Sequence, residues 1–343
     1  MEIIMLGQVK KRLLHTSLRE MGSAAVALSG GIDSTLLAKV AQLELGNRAL
    51  ALTAVSPSLA RTEREDSRLL AREIGIRQVE IETRELEDRK YAANPGNRCY
   101  FCKKELFTVA AREARRLGYR WVLEGTHSDD LGGHRPGYRA AVEEGVRSPY
   151  VEAGYTKEDI RDHAQDLGLS NWDKPSLACL SSRFPTGTEI TAERLRQIED
   201  AEIVLRRNGA RQCRARYHGD TIRIELSESE MGLAGESGFR EKVRQGCATL
   251  GFRHVTMDLI PYGIVVETTP LQIYSNMDQL KEKIKSRIAN EVAVFPAGDL
   301  LRIGLAREDI AKLPDNRFRL NLVRECRRAG FRHVTVDFSV EGE

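Results

Sequence analysis

The chain has 343 residues, 41% of them apolar and 30% charged, a globular composition that argues against a disordered chain. At roughly 150 residues per domain, that length predicts two domains, or two with an appendage. Lysine and arginine number 53 against 50 acidic residues, a net charge of +3 that weighs against a general nucleic-acid coat protein. No apolar run approaches the roughly 18 residues of a membrane span, so neither membrane nor nucleic acid is expected as a partner. The first segment, MEIIMLGQVKKRLLHTSLREM, mixes charge into its apolar residues and is read as an amphipathic helix rather than a signal peptide. Six cysteines in such a chain suggest a reducing cytoplasm, where they serve catalysis, metal binding or the core more often than disulfides.

In chain order, AAVALS (24–29) reads as a strand ending in SGGIDST, with LLAKVAQLEL following at helical spacing. ALALTAVS (49–56) is the next strand, RTEREDSRLLAREIG the next helix, and RQVEIET the next strand. A cysteine-containing helix (102–118) and the strand RWVLEGT (120–126) complete the alternation, which predicts a parallel sheet covered on both faces. Ligands bind such sheets at the carboxyl ends of the strands, where SGGIDST and EGTHSDD (124–130) both lie. A loop-rich stretch and the helix KEDIRDHAQDLG lead to NWDKPSLACLSSRFPTGTEIT, which is rich in Pro, Gly and Ser and marks a domain boundary. The resulting expectation is an α/β domain over 1–180, an α+β domain over 181–265 and a degenerate repeat of that α+β unit over 266–343.

The repeat is in register. Residues 221–259 recur at 300–338, so that Arg223 matches Arg302, Cys247 matches Cys326 and Gly251 matches Gly330, each 79 positions on. Each copy reads as strand, helix, strand, a small unit expected to pair with its twin or with a neighbouring subunit. Arg214, Arg216 and His218 of the first copy have become Ala293, Phe295 and Ala297, and Glu225 has become Gly304. The second copy is therefore read as structural, and chemistry is assigned to the first.

SGGIDST joins a strand to a helix. Gly30 and Gly31 let the backbone approach an anion, and the helix start offers unpaired N–H groups and a partial positive charge. Ser29, Ser34 and Thr35 add hydroxyls, and Asp33 can hold Mg2+ or orient the loop. The absence of GxxxxGK[ST] excludes a P-loop phosphotransferase. These residues resemble the PP-loop of the ATP pyrophosphatase superfamily, an adenine nucleotide alpha hydrolase-like fold. Its members cleave ATP to AMP and pyrophosphate while adenylating a carbonyl or carboxylate oxygen. ALTAVS and EGTHSDD, with Gly125, are similar to that family's adenine-side strand and second loop.

NRCYFCKKELF, GHRPGYRAAVEEGVRSPYVEAGYTKEDIR, NWDKPSLACLSSRFPTGTEIT, RARYHGDTIRIE and LGFRHVTMDL together resemble the LarE-type sulfur transferases across residues 1–260. The resemblance implies conversion of pyridinium-3,5-biscarboxylic acid mononucleotide to its dithiocarboxylate form, a step towards the nickel-pincer nucleotide of lactate racemase. It also implies a small-molecule nucleotide substrate and a homo-oligomer. The copy after about residue 265 departs from the family's pattern.

Cys99 and Cys102 form a C-x-x-C, and Cys179 stands alone in ACLSSR. A zinc site would draw a further ligand from His127 or His134. Three cysteines near a nucleotide pocket also suit three irons of a four-iron, four-sulfur cluster (4Fe-4S), whose fourth iron would carry a sulfide. A third reading makes Cys179 the donor itself, its thiolate attacking the adenylate and ending as dehydroalanine. Cys213, Cys247 and Cys326 fit apolar core positions. A substrate with a phosphate and carboxylates needs cations, for which Arg147, Arg183, Arg214 and Arg216 are candidates, joined by His218; Glu202 would orient the arginines or bind ribose. Two other readings are a tRNA thiolation enzyme of the same superfamily, which would want a broad basic face, and a non-catalytic ATP-binding regulator.

Overall fold

The computed structural model describes residues 2–132, 135–174, 178–264 and 277–338, with the side chains of residues 2–5 left aside. Two compact units divide the chain: Met1–Ser182 with Thr186–Leu195, and Arg183–Pro185 with Arg196–Glu343. No helix of the described residues is long and apolar enough to cross a membrane.

In the first unit, strands β1 (Ala24–Ala27), β2 (Ala49–Val55), β3 (Arg77–Glu82) and β4 (Trp121–Leu123) form one sheet in the order β3-β2-β1-β4, and every pairing is parallel. Helices α1 (Glu2–Met21), α2 (Ile32–Leu45), α3 (Arg61–Ile74), α4 (Arg89–Ala92), α5 (Arg98–Arg116), α6 (Pro136–Glu143), α7 (Pro149–Glu152) and α8 (Lys157–Asp166) surround it. The alternation along β1 shows why the sheet is buried on both sides. Ala24 and Val26 join the core made with Leu14, Leu18, Leu37 and Ile160, whereas Ala25 joins the core made with Leu50, Phe107 and Val122. A parallel sheet needs such covering, and these small residues let helices approach closely. The strand order grows from β1 outwards to β3 and then reverses to β4, which opens a crevice beside β1 at the carboxyl ends.

The cysteine helix begins at Arg98 rather than at 102, so both residues of the C-x-x-C lie in its first turns. The stretch expected to be loop holds the short helices α6 and α7, each opened by a proline whose missing N–H costs nothing there.

The second unit carries β5 (Cys213–His218), β6 (Thr221–Leu226), β7 (His254–Asp258), β8 (Val292–Ala297), β9 (Leu300–Leu305) and β10 (His333–Asp337) in one sheet ordered β5-β6-β7-β10-β9-β8. Its helices are α9 (Ala192–Arg207, in this unit from Arg196), α10 (Ser237–Thr249), α11 (Met277–Arg287), α12 (Arg307–Ile310) and α13 (Asn316–Arg328). Strands β7 and β10 pair antiparallel in the middle of this sheet. Met257 faces Val336, the residue 79 positions on, while Thr256 faces Asp337 and Asp258 faces Thr335. Cys213, Cys247 and Cys326 are buried in this unit, and burial pushes each thiol up to about 12, as inert core positions require.

Candidate active site

A cavity of about 410 Å³ opens at the carboxyl ends of the first unit's strands, large enough for a nucleotide-sized ligand. Residues that follow each of the four strands line it: Ser29 after β1, Ser56 after β2, Thr83 after β3 and Gly125 after β4. Ser29, Gly31, Asp33 and Ser34 form one side, as their spacing predicts. No side chain caps the start of α2, whose N-cap is Gly31, so its first N–H groups stay available to an anion. Ser34 Oγ holds the loop closed by accepting from Ser29 N at 3.1 Å and donating to Gly31 O at 3.0 Å.

Two loop residues serve the scaffold instead. Gly30 sits at φ +82°, a left-handed backbone that strains any residue with a side chain, beside the backbone of Glu63 and Ser67 in α3. Thr35 is fully buried; its hydroxyl donates to Gly31 O at 2.9 Å and accepts from Asn171 Nδ2 at 3.1 Å. Neither is among the residues lining the cavity.

Long-range contacts that no local motif reveals complete the site. Lys157, the first residue of α8, forms an ion pair with Asp33. Tyr150 OH donates to Asp33 O at 2.9 Å. Glu124 lines the cavity and is buried, its oxygens taken by Ser148 and by Thr126 Oγ1 at 2.7 Å. Asp33, a candidate Mg2+ ligand, thus has a lysine ammonium as its partner in this state. ATP fits the site by the chemistry of the loop, an open helix start beside a strand end, and Asp33 would hold the magnesium ion that supplies the counter-charge to its phosphates.

The opposite wall carries sulfur. Cys99, Cys102 and Cys179 all line the cavity; Cys99 and Cys179 are exposed and Cys102 half-buried. Burial first, then Glu85 and the neighbouring thiols, pushes Cys102 up to about 12, so it is a neutral thiol unless a bound cation stabilises the thiolate. Three thiols on one cavity are the donor set that a three-cysteine cluster requires. As placed, no three His, Cys, Asp or Glu side chains gather into a metal-holding group among the described residues. His127 is buried near Asp129 and Asp130, with no hydrogen-bond partner at Nδ1, and is not among the cavity-lining residues. His134 lies outside the described residues.

Tyr91 is another wall residue absent from the sequence reading. It is 1% exposed, and its hydroxyl meets Ser58 Oγ at 2.8 Å and Ser181 Oγ at 2.6 Å. Burial, then the nearby Cys102, holds that hydroxyl protonated.

Arg147 stands apart from these walls: its guanidinium pairs with Glu152 at 2.6 Å and lies over the Trp121 ring. The remaining predicted cations belong to the second unit. Arg183 and Glu202 form a buried pair at 2.9 Å, and Glu202 also receives Arg206 at 2.9 Å and the Ala215 N–H at 3.3 Å. Arg214 stacks on Tyr262 with its carbon 4.7 Å from the ring centre, while Arg216 bonds Glu225 at 2.8 Å. His218 Nε2 accepts from Arg223 Nε at 3.2 Å, and burial, then that arginine, pushes the imidazole down to about 4. Arg223 on β6 pairs with Asp258 on neighbouring β7, and Arg302 on β9 pairs with Asp337 on neighbouring β10 at 3.1 Å, so both ion pairs tie adjacent strands of the sheet.

The asparagine synthase family model matches residues 9–244. The chain is 46% identical to an uncharacterized protein of Synechocystis sp. over 243 residues, 71% of this chain and 91% of the relative. It is 37% identical to the pyridinium-3,5-bisthiocarboxylic acid mononucleotide synthase of Lactiplantibacillus plantarum over 251 residues, 73% of this chain and 90% of that enzyme. An uncharacterized protein of Methanocaldococcus jannaschii is 29% identical over 239 residues, 69% of this chain and 89% of its own length.

Proposed function

The chain belongs to the LarE family, and to the asparagine synthase family in the wider sense, and on that premise we propose that it is an ATP-dependent sulfurtransferase acting on pyridinium-3,5-biscarboxylic acid mononucleotide in nickel-pincer cofactor synthesis. The observation that carries this reading is a single cavity with a nucleotide loop on one wall and three cysteines on another. Adenylation and sulfur delivery need each other. A carboxylate resists nucleophiles because it is already negative and would have to expel oxide. Attack of its oxygen on the α-phosphorus of ATP expels pyrophosphate and leaves a mixed anhydride, from which a sulfur nucleophile can displace AMP.

In this reading the N–H groups at the start of α2, with Ser29 and Ser34, bind the departing pyrophosphate, Lys157 beside Asp33 lends positive charge to the phosphates, and Asp33 would hold a Mg2+ ion that would offset the phosphates' negative charge. Arg183, oriented by Glu202, Arg216, oriented by Glu225, and Arg214, stacked on Tyr262, take the substrate's phosphate and carboxylates. Cys99, Cys102 and Cys179 would hold a 4Fe-4S cluster, which would supply the sulfide. The exposure of Cys179 favours a second reading, in which its own thiolate adds to the adenylate, AMP leaves, and β-elimination releases the thiocarboxylate and leaves dehydroalanine.

The test is iron and acid-labile sulfide on anaerobically purified protein, together with pyrophosphate release and the mass of the chain after turnover. About four irons and four sulfides per chain, lost on replacing any of the three cysteines, support the cluster. An iron-free protein that loses one sulfur at Cys179 supports the single-use donor. Pyrophosphate release without any thiocarboxylate would overturn the sulfurtransferase reading, and ATP binding without pyrophosphate release would point to a regulator.

A further inference from the structure

Three segments that carry the cavity's walls meet at one buried point. Ser58 follows β2 on the nucleotide side, Tyr91 lies in α4 just before the C-x-x-C helix, and Ser181 stands two residues after Cys179. The exposures of these residues are 5%, 1% and 0%. Ser181 Oγ donates to Ser58 Oγ at 3.3 Å, and Tyr91 OH lies 2.8 Å from Ser58 Oγ and 2.6 Å from Ser181 Oγ. Each hydroxyl has one proton to give. With Ser181 donating to Ser58, the ring closes in one direction only, Ser58 donating to Tyr91 and Tyr91 to Ser181. Each hydroxyl of that circuit then donates one bond and accepts one. The backbone adds Leu180 N to Ser58 O at 3.2 Å and Ser182 N to Cys179 O at 2.9 Å.

We propose that this ring makes Tyr91 a positioning residue for Cys179, holding the sulfur-bearing loop at a set distance from both the nucleotide loop and the C-x-x-C. Packing alone does not require such a ring, because three apolar side chains would fill the same space without losing solvated hydroxyls. What the ring supplies is direction: hydrogen bonds tie three otherwise separate segments at one mutual geometry. Tyr91 touches no reacting atom in this scheme; it acts through Ser181 and the turn that Cys179 begins. The inference rests on the sulfurtransferase reading for its functional consequence, though not for its geometry.

Two variants test it, Tyr91→Phe, which removes one oxygen and keeps the ring's volume, and Ser181→Ala, which opens the circuit from the other side. The first readout needs no substrate: the rate of iodoacetamide alkylation at Cys179, measured by peptide mass spectrometry relative to Cys99 in the same chain. The second is thiocarboxylate formed per pyrophosphate released. Both variants are expected to change the Cys179-to-Cys99 alkylation ratio severalfold and to lower the thiocarboxylate-to-pyrophosphate ratio about tenfold, as a displacement of under 1 Å at a reacting group does. Folded variants in which both ratios stay at the wild-type value, or in which only the melting temperature falls, overturn the proposal. Wild-type protein that makes no thiocarboxylate overturns the sulfurtransferase reading instead, and the alkylation ratio still decides whether the ring positions Cys179.

Discussion

Gly125→Ala inserts a methyl group against the nucleotide loop without straining its own backbone. The added Cβ would lie 3.1 Å from Asp33 Cβ, 3.2 Å from Asp33 C and 3.3 Å from Ser34 N, all at the start of α2. Two of these three atoms are backbone, so relief comes by shifting the first turn of the helix by a few tenths of an ångström. The uncapped N–H groups at that helix start, to which phosphate binding is proposed, move with it. Since a displacement of about 1 Å can cost roughly a hundredfold in rate, a shift of this size is expected to lower kcat/KM for ATP roughly three- to tenfold. Stability should change little: overpacking costs about 1 kcal/mol at the mild end, and the loss of glycine's unfolded-state freedom returns about 0.4–1 kcal/mol. The assay is pyrophosphate release against ATP concentration, with the melting temperature measured in parallel. Gly238→Ala, where nothing stands within 4 Å, serves as the control. An unchanged kcat/KM in a folded Gly125→Ala protein would refute the argument that ATP binds against the start of α2.

Glu202→Gln leaves the buried Arg183 guanidinium facing an amide instead of a carboxylate, and the unfolding free energy is expected to fall by about 3 kcal/mol; a urea midpoint equal to wild type would contradict this. Lys157→Met removes the ammonium beside Asp33 and leaves an uncompensated carboxylate next to the phosphates, so KM for ATP should rise roughly tenfold, about 1.4 kcal/mol. His163, buried against Tyr155 OH at 2.9 Å, is pushed from 6.5 down to about 4 by burial, then by Lys11 and His15. Because its folded pKa is depressed, the unfolded chain takes the proton first. Its stability contribution is therefore complete above pH 6.5 and declines as pH falls towards 4, by about 3 kcal/mol in all. Urea midpoints measured from pH 7 to 4.5 should fall less steeply for His163→Gln, and parallel slopes would show that another group governs the decline.

Much of the site was legible because its signals are local. SGGIDST advertises a strand-to-helix turn through two glycines and hydroxyl residues within seven positions, and the structure puts Ser29, Gly31, Asp33 and Ser34 on the cavity. The alternation of apolar runs with helical spacing predicted a parallel sheet, and the reversal of strand order at β4 sets the crevice where such sheets bind ligands. Which member of a motif faces the ligand was not legible. Gly30 and Thr35 belong to the same string as their neighbours, yet one supplies a left-handed backbone turn and the other bonds Asn171, 136 residues away in sequence. The C-x-x-C promised nearby thiols, but only folding brings Cys179 to the same cavity.

By itself, the sequence determined the parallel sheet, the strand-to-helix turn of SGGIDST and the core cysteines, because backbone preference and apolar periodicity act between neighbours in the chain. The tertiary structure alone decided that Lys157 meets Asp33, that Arg147 turns to Glu152, and that Ser58, Tyr91 and Ser181 close a ring behind Cys179. Those pairings depend on where side chains from distant segments point once the core has packed, and a buried polar group is bound to whatever partner that packing supplies.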